Sequence, residues 1–372
     1  MIGFYLFWCL GYLVLHLWLA QKWPRNHFSQ PSSYRDQLIT LVIPFRNESR
    51  NIPKLASEIA KINSDHLEVL LVDDQSEDDS WQLASTHFRE MVGVRLAKSL
   101  GVGKKAALSH GIFLAQGEII LTSDADCEFP EAWPMKMASA FSDSNVQLVA
   151  GPVLAKATKG GFFQKFQQIE WYSILLMTQF YFSRKQPLMC SGANLAFRKQ
   201  AFLEVGGYDG NEQILSGDDE FLLKKIVKNF GADSCVYLPA REALVYTTPQ
   251  LSWTDLFRQR VRWSGKWKAH RSFSHGFTSV LAFLVQVIWV ASIIFFAWDW
   301  DGVFFLGAIW MIKASAERLS LGRVGEGLGS KASLIDYFAT SLMHPFYVIG
   351  VGLGTLFIKV KWKGRSQEES VI

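Results

Sequence analysis

Three long uncharged stretches stand out from the pattern of polar and apolar residues along the chain. They cover Ile2–Ala20, Phe277–Trp298 and Tyr337–Ile358 and contain 19, 22 and 22 residues. A helix needs about 20 apolar residues to cross a bilayer, so each stretch has the length of a transmembrane helix. A shorter run at Gly302–Ile312, of 11 residues, is a weaker candidate. The polar region between the first two stretches, residues 37–270, predicts one soluble domain.

The first stretch is expected to be an uncleaved membrane anchor, with a signal peptide as the rival interpretation. It begins without a basic residue, and the segment Trp18-Leu19-Ala20 is a poor cleavage site. Basic residues follow it at Lys22 and Arg25, and six more lie at positions 258–271 before the second stretch. Because positive flanks stay in the cytoplasm, the soluble domain is expected on the cytoplasmic side of a bacterial inner membrane.

The number of membrane crossings after the soluble domain stays open. The basic segment Lys359–Arg365 favours a cytoplasmic end, which requires an even number of crossings. His344 and Pro345 interrupt the last stretch, so that segment crosses the membrane, re-enters it or lies along its surface. The chain is thus expected to have four parts: an anchor at 1–21, the soluble domain at 37–270, two or three hydrophobic segments at 275–360 and a basic cytoplasmic tail at 361–372.

Apolar strands alternate with helices in the soluble region. The pattern predicts strands at Leu38–Phe45, Leu67–Asp74 and Glu118–Asp126, and helices near Ile52–Ile62, Trp81–Met91 and Lys104–Ala115. Continuous apolar strands between helices are typical of a parallel sheet covered on both faces. The expected fold class is therefore α/β, in which ligands bind beyond the carboxyl ends of the strands.

Acidic residues cluster where these strands end. Asp73 and Asp74 end the second strand, and Asp124 and Asp126 end the third. Neighbouring carboxylates repel one another, and a divalent cation relieves that repulsion. Oxygen ligands with room for phosphate oxygens suit Mg²⁺ or Mn²⁺, so a metal with a phosphate-bearing ligand is expected here. The three acids at positions 77–79 are interpreted instead as a helix N-terminus, where the helix dipole favours negative charge.

Several other classes of protein are disfavoured. A net charge of +4 is too small to indicate a nucleic-acid partner, and four scattered cysteines show neither a zinc spacing nor a disulfide framework. The glycine-rich segment Gly101–Lys105 lacks the first glycine and the Ser or Thr of a phosphate-binding loop. No G-x-G-x-x-G follows the first strand, which argues against a nucleotide-binding oxidoreductase.

Two later segments each allow two interpretations. Gly217-Asp218-Asp219 begins a helix, and since Asp218 alone would suffice as a cap, Asp219 is available for chemistry. Phe257–Trp267 is basic and aromatic, which fits an interfacial helix or an arginine clamp on a phosphate-rich ligand. A third segment, Gly160–Phe182, is rich in aromatic residues, which favours contact with lipid.

Seven motifs in order resemble the membrane-bound family 2 glycosyltransferases of the GT-A fold. This group includes cellulose, chitin and hyaluronan synthases and the ceramide glucosyltransferases. The motifs read VIPFRNE, VDDQSED, GKKAAL, DADC, SGANLAFRK, GDDEF and QRVRW, and the resemblance spans Leu38–Lys268. It implies a mixed α/β sheet of the GT-A type covered by helices, with transmembrane helices at both ends of the chain.

The resemblance also implies a role for each matching position. A nucleotide-diphospho-sugar, expected to be a UDP-sugar, would contact Pro44, Glu48, Asp73, Asp74, Lys105, Asp124, Gln259, Arg260, Arg262 and Trp263. Asp124 and Asp126 would bind its diphosphate through Mg²⁺ or Mn²⁺, and Asp219 would be the catalytic base. In two departures from the family pattern, Asp218 replaces a glutamate, and Arg46 stands where an aromatic or small residue is commoner.

These residues favour an inverting, metal-dependent hexosyltransferase. It would act at the membrane on a lipid or lipid-linked hydroxyl, or on another glycan acceptor. The small number of spans favours single transfer over the extrusion of a polymer, and a processive polysaccharide synthase is the alternative. A non-catalytic, membrane-tethered nucleotide-binding protein is a third candidate, which would bind without metal and transfer no sugar. No nucleic-acid partner is expected.

Overall fold

The computed structural model describes residues 1–24, 38–157, 161–210, 217–265, 273–358, 361–362 and 365–366. Predictions that rest on Arg25, on the basic residues at 266–271 or on most of the tail at 359–372 lie outside these ranges. The chain divides into two compact units. A helical unit comprises Met1–Arg25, Lys156–Phe180 and Pro249–Val360, and a sheet unit comprises Asn26–Ala155, Tyr181–Thr248 and Lys361–Ile372.

The sheet unit is built on one seven-stranded mixed sheet. Its strands are β1 (Ile39–Phe45), β2 (Leu67–Asp73), β3 (Val94–Lys98), β4 (Ile119–Thr122), β5 (Leu148–Ala150), β7 (Leu195–Arg198) and β8 (Cys235–Tyr237). The spatial order is β3-β2-β1-β4-β7-β5-β8, in which β7 runs antiparallel to both of its neighbours. A separate parallel pair joins β6 (Val153–Ala155) and β9 (Val245–Thr247). The first four strands of this order are parallel, so their carboxyl ends lie at one edge.

Helices connect the strands of this unit. They are α2 (Ile52–Ile62), α3 (Ser80–His87), α4 (Lys104–Leu114), α5 (Trp133–Ala138), α7 (Lys199–Glu204) and α8 (Asp218–Phe230). Helix α4 packs closely on the sheet, because a Cβ at Gly111 would lie only 2.5 Å from Cγ1 of Val42. Every residue of β1 and β2 is buried, including the polar Thr40 and Glu68, as expected for central strands that are mostly apolar.

The predicted α/β class is confirmed, with differences at particular elements. The third predicted strand is shorter than expected, because the chain leaves β4 after Thr122 and residues 123–126 form a loop. Strand β3 was not predicted, since it lies at the edge of the sheet and none of its five residues is fully buried. Its sequence therefore has no continuous apolar run.

The helical unit contains the hydrophobic helices and two segments that were predicted to belong to the soluble domain. Its helices are α1 (Ile2–Lys22), most of α6 (Phe162–Ser183), α9 (Trp253–Ser264), α10 (Phe273–Ala291), α11 (Trp300–Gly327) and α12 (Leu334–Phe357). Among the described residues, three helices are long and apolar enough to cross a membrane: Ile2–Lys22, Gly276–Ala297 and Leu334–Phe357. The weaker candidate Gly302–Ile312 lies within α11, and α12 continues through Pro345 without the expected interruption.

A buried ion pair joins three helices of this unit. The ammonium of Lys313, on α11, donates to Glu317 Oε1 at 2.6 Å and to the carbonyl and hydroxyl of Ser341, on α12, at 2.9 and 3.0 Å. The hydroxyl of Tyr12, on α1, donates to the same Glu317 oxygen at 2.7 Å. Charged groups among apolar helices require polar partners. Tyr12 on α1, Glu317 on α11 and Ser341 on α12 are those partners here.

Replacing one partner of this ion pair is expected to destabilise the helical unit strongly. Glu317→Gln leaves the Lys313 ammonium buried without its counter-ion, a change that costs about 3–5 kcal/mol in comparable pairs. The double variant Lys313→Met/Glu317→Gln removes the charge and is expected to recover much of the loss. Thermal unfolding of the detergent-solubilised chain measures both effects, and equal stability of Glu317→Gln and the unmodified chain would contradict the structural role.

Candidate active site

Hydrogen bonds tie together the loops that follow β1 and β2. The buried guanidinium of Arg46 donates to the carbonyl of Asp74 at 3.0 Å and also to the carbonyl of Gln75. It reaches the carboxylate of Glu77 at 2.6 Å as well. Asn47 and Gln75 have φ values of +50° and +56°, a left-handed conformation that is uncommon outside glycine. Arg46 therefore organises the loops in which base contacts are predicted.

The two aspartates at the end of β2 hold backbone groups. Asp73 Oδ1 accepts from the amide of Ser76 at 3.1 Å, and Asp74 Oδ1 accepts from the amide of Gly103 at 2.7 Å. Gly103 has φ +97° and directly precedes α4, so a side chain there would be strained. Asp74 thus positions the start of α4. Nucleotide contacts by either aspartate stay a prediction.

Glu48 and Asp78 connect the loop after β1 to the start of α3. Pro44 is buried in β1, and the amide of Glu48 donates to the hydroxyl of Ser80 at 2.7 Å. Burial opposes the charged form of Asp78, but hydrogen bonds from Ser80 and Ser49 outweigh it and lower its pKa to about 2. Since α3 begins at Ser80, this agrees with the interpretation of the acids at 77–79 as a helix N-terminus.

The loop after β4 carries two half-buried carboxylates. Asp126 Oδ2 accepts from the hydroxyl of Thr247 at 3.0 Å, which fixes its orientation. Burial and the negative charges of Asp124 and Glu48 together raise the pKa of Asp126 to about 6. Asp124 and Glu48 are therefore close enough to Asp126 to repel its charge; the crowding of Asp124 and Asp126 was predicted, and the part of Glu48 was not.

A lysine that was not predicted to take part lies among these acids. The Nζ atom of Lys104 is 2.7 Å from Asp124 Oδ1 and 3.2 Å from Asp218 Oδ2. Burial opposes its charge, but Asp124, Asp218 and Asp219 outweigh that effect and hold the pKa of Lys104 well above its ordinary value. The predicted Lys105 instead places its ammonium 4.8 Å from the ring centre of Phe221. Successive residues of a helix point in different directions, which explains why neighbouring lysines differ.

The proposed base lies at the start of α8. Asp219 is half-buried, and its carboxylate accepts from the amides of Gly192 at 3.0 Å and Glu220 at 2.8 Å. Gly217, with φ +86°, occupies the helix N-cap, so Asp218 is the first residue of the helix and not the cap considered above. A Cβ at Gly192 would lie 2.7 Å from Asp218 Oδ2, which accounts for glycine in the SGAN turn. The sheet unit therefore brings both aspartates together with Lys104 and Asp124.

The remaining predicted residues belong to the helical unit, where Arg260 forms a buried ion pair. Its Nε and Nη2 atoms each donate to Glu170 at 2.8 Å, and Nη1 donates to Gln259. The guanidinium lies 5.4 Å from the ring centre of Trp171 and 4.3 Å from that of Trp263. Glu170 was not singled out from the sequence, because it is an isolated acid in an aromatic helix. Contacts of Gln259, Arg260, Trp263 and the half-buried Arg262 with diphosphate stay a prediction.

Arg260→Lys is expected to destabilise the helical unit although the positive charge is kept. Lysine cannot make the two parallel bonds to Glu170 or stack between the tryptophans, and one lost charged hydrogen bond costs about 1.5–3 kcal/mol. The exposed Arg258, on the same helix, provides the matched control Arg258→Lys. Thermal unfolding should show a clear loss for the first variant alone. Equal unfolding temperatures for the two variants would show that the bidentate pair is unimportant.

Asp124 and Asp126 stay the predicted ligands of a divalent cation. Within the described ranges, no group of three or more His, Cys, Asp or Glu side chains could hold a metal ion. If both predicted ligands bind, phosphate oxygens and water would complete the shell, as is usual for Mg²⁺. The repulsion that raises the pKa of Asp126 is the kind of excess charge that a cation relieves.

The family resemblance is confirmed by comparison with known proteins. Residues 40–206 match the family described as "Glycosyl transferase family 2". This range contains the loops after β1, β2 and β4, together with Lys104 and the SGAN turn. Residues 40–206 thus resemble a family 2 glycosyltransferase domain.

Relatives and a solved structure agree with this class. The beta-monoglucosyldiacylglycerol synthase of Trichormus variabilis is 24% identical over 254 residues, which are 64% of this chain and 52% of that protein. The undecaprenyl-phosphate 4-deoxy-4-formamido-L-arabinose transferase of Aeromonas hydrophila is 35% identical over 101 residues, or 25% and 30% of the two chains. The chain therefore spans about half of the first relative and less of the second.

The solved structure establishes the fold over almost the whole chain. It is the mannosyltransferase PcManGT from Pyrobaculum calidifontis in complex with GDP-Man and Mn²⁺. It has a TM-score of 0.57 and 17% identity, and the match covers 96% of this chain and 98% of that one. The predicted fold class, a GT-A sheet with candidate membrane-spanning helices toward both ends of the chain, is confirmed.

Proposed function

We propose that this protein transfers a sugar from a nucleotide-diphospho-sugar to a lipid or lipid-linked hydroxyl, with inversion, at the cytoplasmic face of a membrane. The observation that carries the proposal is the convergence of Asp124, Asp126, Asp219 and Lys104, the first two and the lysine within the range that matches family 2. Acids and a lysine of this kind suit a metal-bound diphosphate and a hydroxyl that must lose its proton.

The donor side of the reaction is assigned to the ends of β1, β2 and β4. Asp124 and Asp126 would hold Mg²⁺ or Mn²⁺, which when bound would neutralise the developing charge on the leaving diphosphate. The mannosyltransferase of the same fold contains GDP-Man and Mn²⁺, which supports a nucleotide-sugar donor with a divalent cation. We retain a UDP-sugar as the expected donor, with Pro44, Glu48, Asp73, Asp74 and Lys105 on the nucleotide side.

Asp219 is proposed as the base that activates the acceptor. The amides of Gly192 and Glu220 orient its carboxylate, which would take the proton of the acceptor hydroxyl. The hydroxyl oxygen then attacks the anomeric carbon from the face opposite the diphosphate, and the bond from that carbon to the diphosphate oxygen breaks. One displacement inverts the anomeric configuration and needs no covalent sugar–enzyme intermediate.

The helical unit supports a lipid acceptor. The ring of Trp253, on α9, lies 4.7 and 5.0 Å from the rings of Phe163 and Phe166, on α6. Tyr347, on the candidate span α12, lies 5.1 Å from Phe166. Clusters of tryptophan and tyrosine are characteristic of the membrane–water interface. The names of the two relatives refer to diacylglycerol and undecaprenyl phosphate, which agrees with an acceptor drawn from the membrane.

Asp219→Asn is expected to abolish sugar transfer while leaving nucleotide binding intact. The amide cannot accept the proton, and loss of a general base costs about 10²- to 10⁴-fold in rate. Asp233→Asn, the same change at an exposed position of the sheet unit, is the control. The measurement is transfer of radiolabel from nucleotide sugars in purified membranes, alongside nucleotide binding. Undiminished transfer by Asp219→Asn would exclude this residue as the base.

The product of the reaction distinguishes single transfer from polymer synthesis. With the one labelled nucleotide sugar that supports transfer, the label is expected in a lipid-extractable product that carries one added sugar. This follows from the three candidate spans found in the described residues, which are few for a polymer channel. A long-chain product in the same membranes would reverse the assignment in favour of a processive synthase.

A further inference from the structure

Lys104 occupies a position that a metal ion would compete for. Its ammonium lies 2.7 Å from Asp124 Oδ1 and 3.2 Å from Asp218 Oδ2, and its side chain is only 19% exposed. We infer that Lys104 is a resident counter-cation. It neutralises the acidic site in the metal-free protein and releases Asp124 when a divalent cation enters with the diphosphate. This inference rests on the proposed function, since it takes Asp124 as a metal ligand.

The surroundings of Lys104 distinguish it from an ordinary surface lysine. It is the first residue of α4, directly after Gly103, whose amide is held by Asp74. A Cβ at Gly192 would lie 3.5 Å from the ammonium and 2.7 Å from Asp218 Oδ2, so the glycine leaves room for this contact. Lys104 is therefore anchored at its backbone and enclosed at its charged end.

The charges predict an order of binding. Two cations in a half-buried site repel each other strongly, so metal alone must displace the Lys104 ammonium from Asp124. A diphosphate that arrives with the metal offers the lysine new anionic oxygens, which make strong charge-assisted hydrogen bonds. The lysine can then leave Asp124 without becoming an unpaired charge. The metal is consequently expected to bind weakly by itself and tightly together with the nucleotide.

The test measures Mn²⁺ affinity of the full-length, detergent-solubilised chain by electron paramagnetic resonance, without and with UDP or GDP. Lys104→Met is expected to bind Mn²⁺ alone roughly tenfold more tightly, a change that corresponds to about 1.4 kcal/mol. It should also unfold at a lower temperature without metal and regain stability when Mn²⁺ is added. Lys104→Arg keeps the charge and should retain the weak affinity of the unmodified chain.

Two further variants control for folding and for general loss of charge. Lys104→Met/Asp218→Asn removes both charges of the Lys104–Asp218 ion pair, so no carboxylate of that pair is left without its counter-ion. It therefore tests metal affinity even if the single variant folds poorly. Lys98→Met removes a lysine that lies over the ring of Trp81, and it should leave Mn²⁺ affinity unchanged. A merely structural role for Lys104 would weaken metal binding or leave it unaltered.

The outcomes separate this inference from the proposed function. Tighter binding of Mn²⁺ alone in both Lys104→Met variants supports the counter-cation, even if no nucleotide sugar supports transfer. Equal or weaker Mn²⁺ affinity in both variants overturns it, and Mn²⁺-dependent nucleotide binding by the unmodified chain would then leave the proposed function standing.

Discussion

Electrostatic repulsion among carboxylates at the edge of a buried parallel sheet is the constraint on which the other features of the site depend. Burial and the negative charges of Asp124 and Glu48 raise the pKa of Asp126, and Asp218 and Asp219 lie at the start of α8 nearby. A fold does not gain stability from such crowding. The acids are instead satisfied by specific partners: Lys104, the hydroxyl of Thr247 and backbone amides. These partners leave a local excess of negative charge, which attracts a divalent cation.

The acids fall into two groups with different tasks. Asp73, Asp74 and Asp78 accept from backbone amides and shape the loops after β1 and β2. Asp124 and Asp219 are half-buried whereas Asp73 and Asp74 are buried, so part of each side chain is open to a ligand, although Asp219 also accepts from the amides of Gly192 and Glu220. The opening of α4 connects the groups, because Asp74 fixes Gly103 and the next residue, Lys104, reaches Asp124. Loop geometry and site charge are therefore coupled through one short segment.

Local patterns predicted the elements whose environment is uniform along the chain. Strands β1 and β2 and helix α2 were predicted within a residue, since the strands are mostly apolar along their length and the apolar positions of the helix follow its period. Strand β3 was missed because an edge strand has no such pattern. The acids that end the strands were recognised as a candidate site, because parallel strands must end at one edge.

The partners of those acids could not be predicted in the same way. Lys104 and Lys105 are adjacent in the sequence, and only the direction of α4 determines which one reaches Asp124. Glu170 and Arg260 are 90 positions apart, so no local signal connects them. Arg46 was identified as a departure from the family pattern, but its bonds to the neighbouring loop emerge only from the folded chain.

The most direct test of this account is calorimetric titration of nucleotide sugars into the intact, solubilised chain, with and without Mn²⁺ or Mg²⁺. The account predicts uptake of at least one nucleotide sugar that requires the cation and is lost in Asp124→Asn/Asp126→Asn. Absence of cation-assisted uptake for every nucleotide sugar would contradict it, and the crowded carboxylates would then have only a structural role.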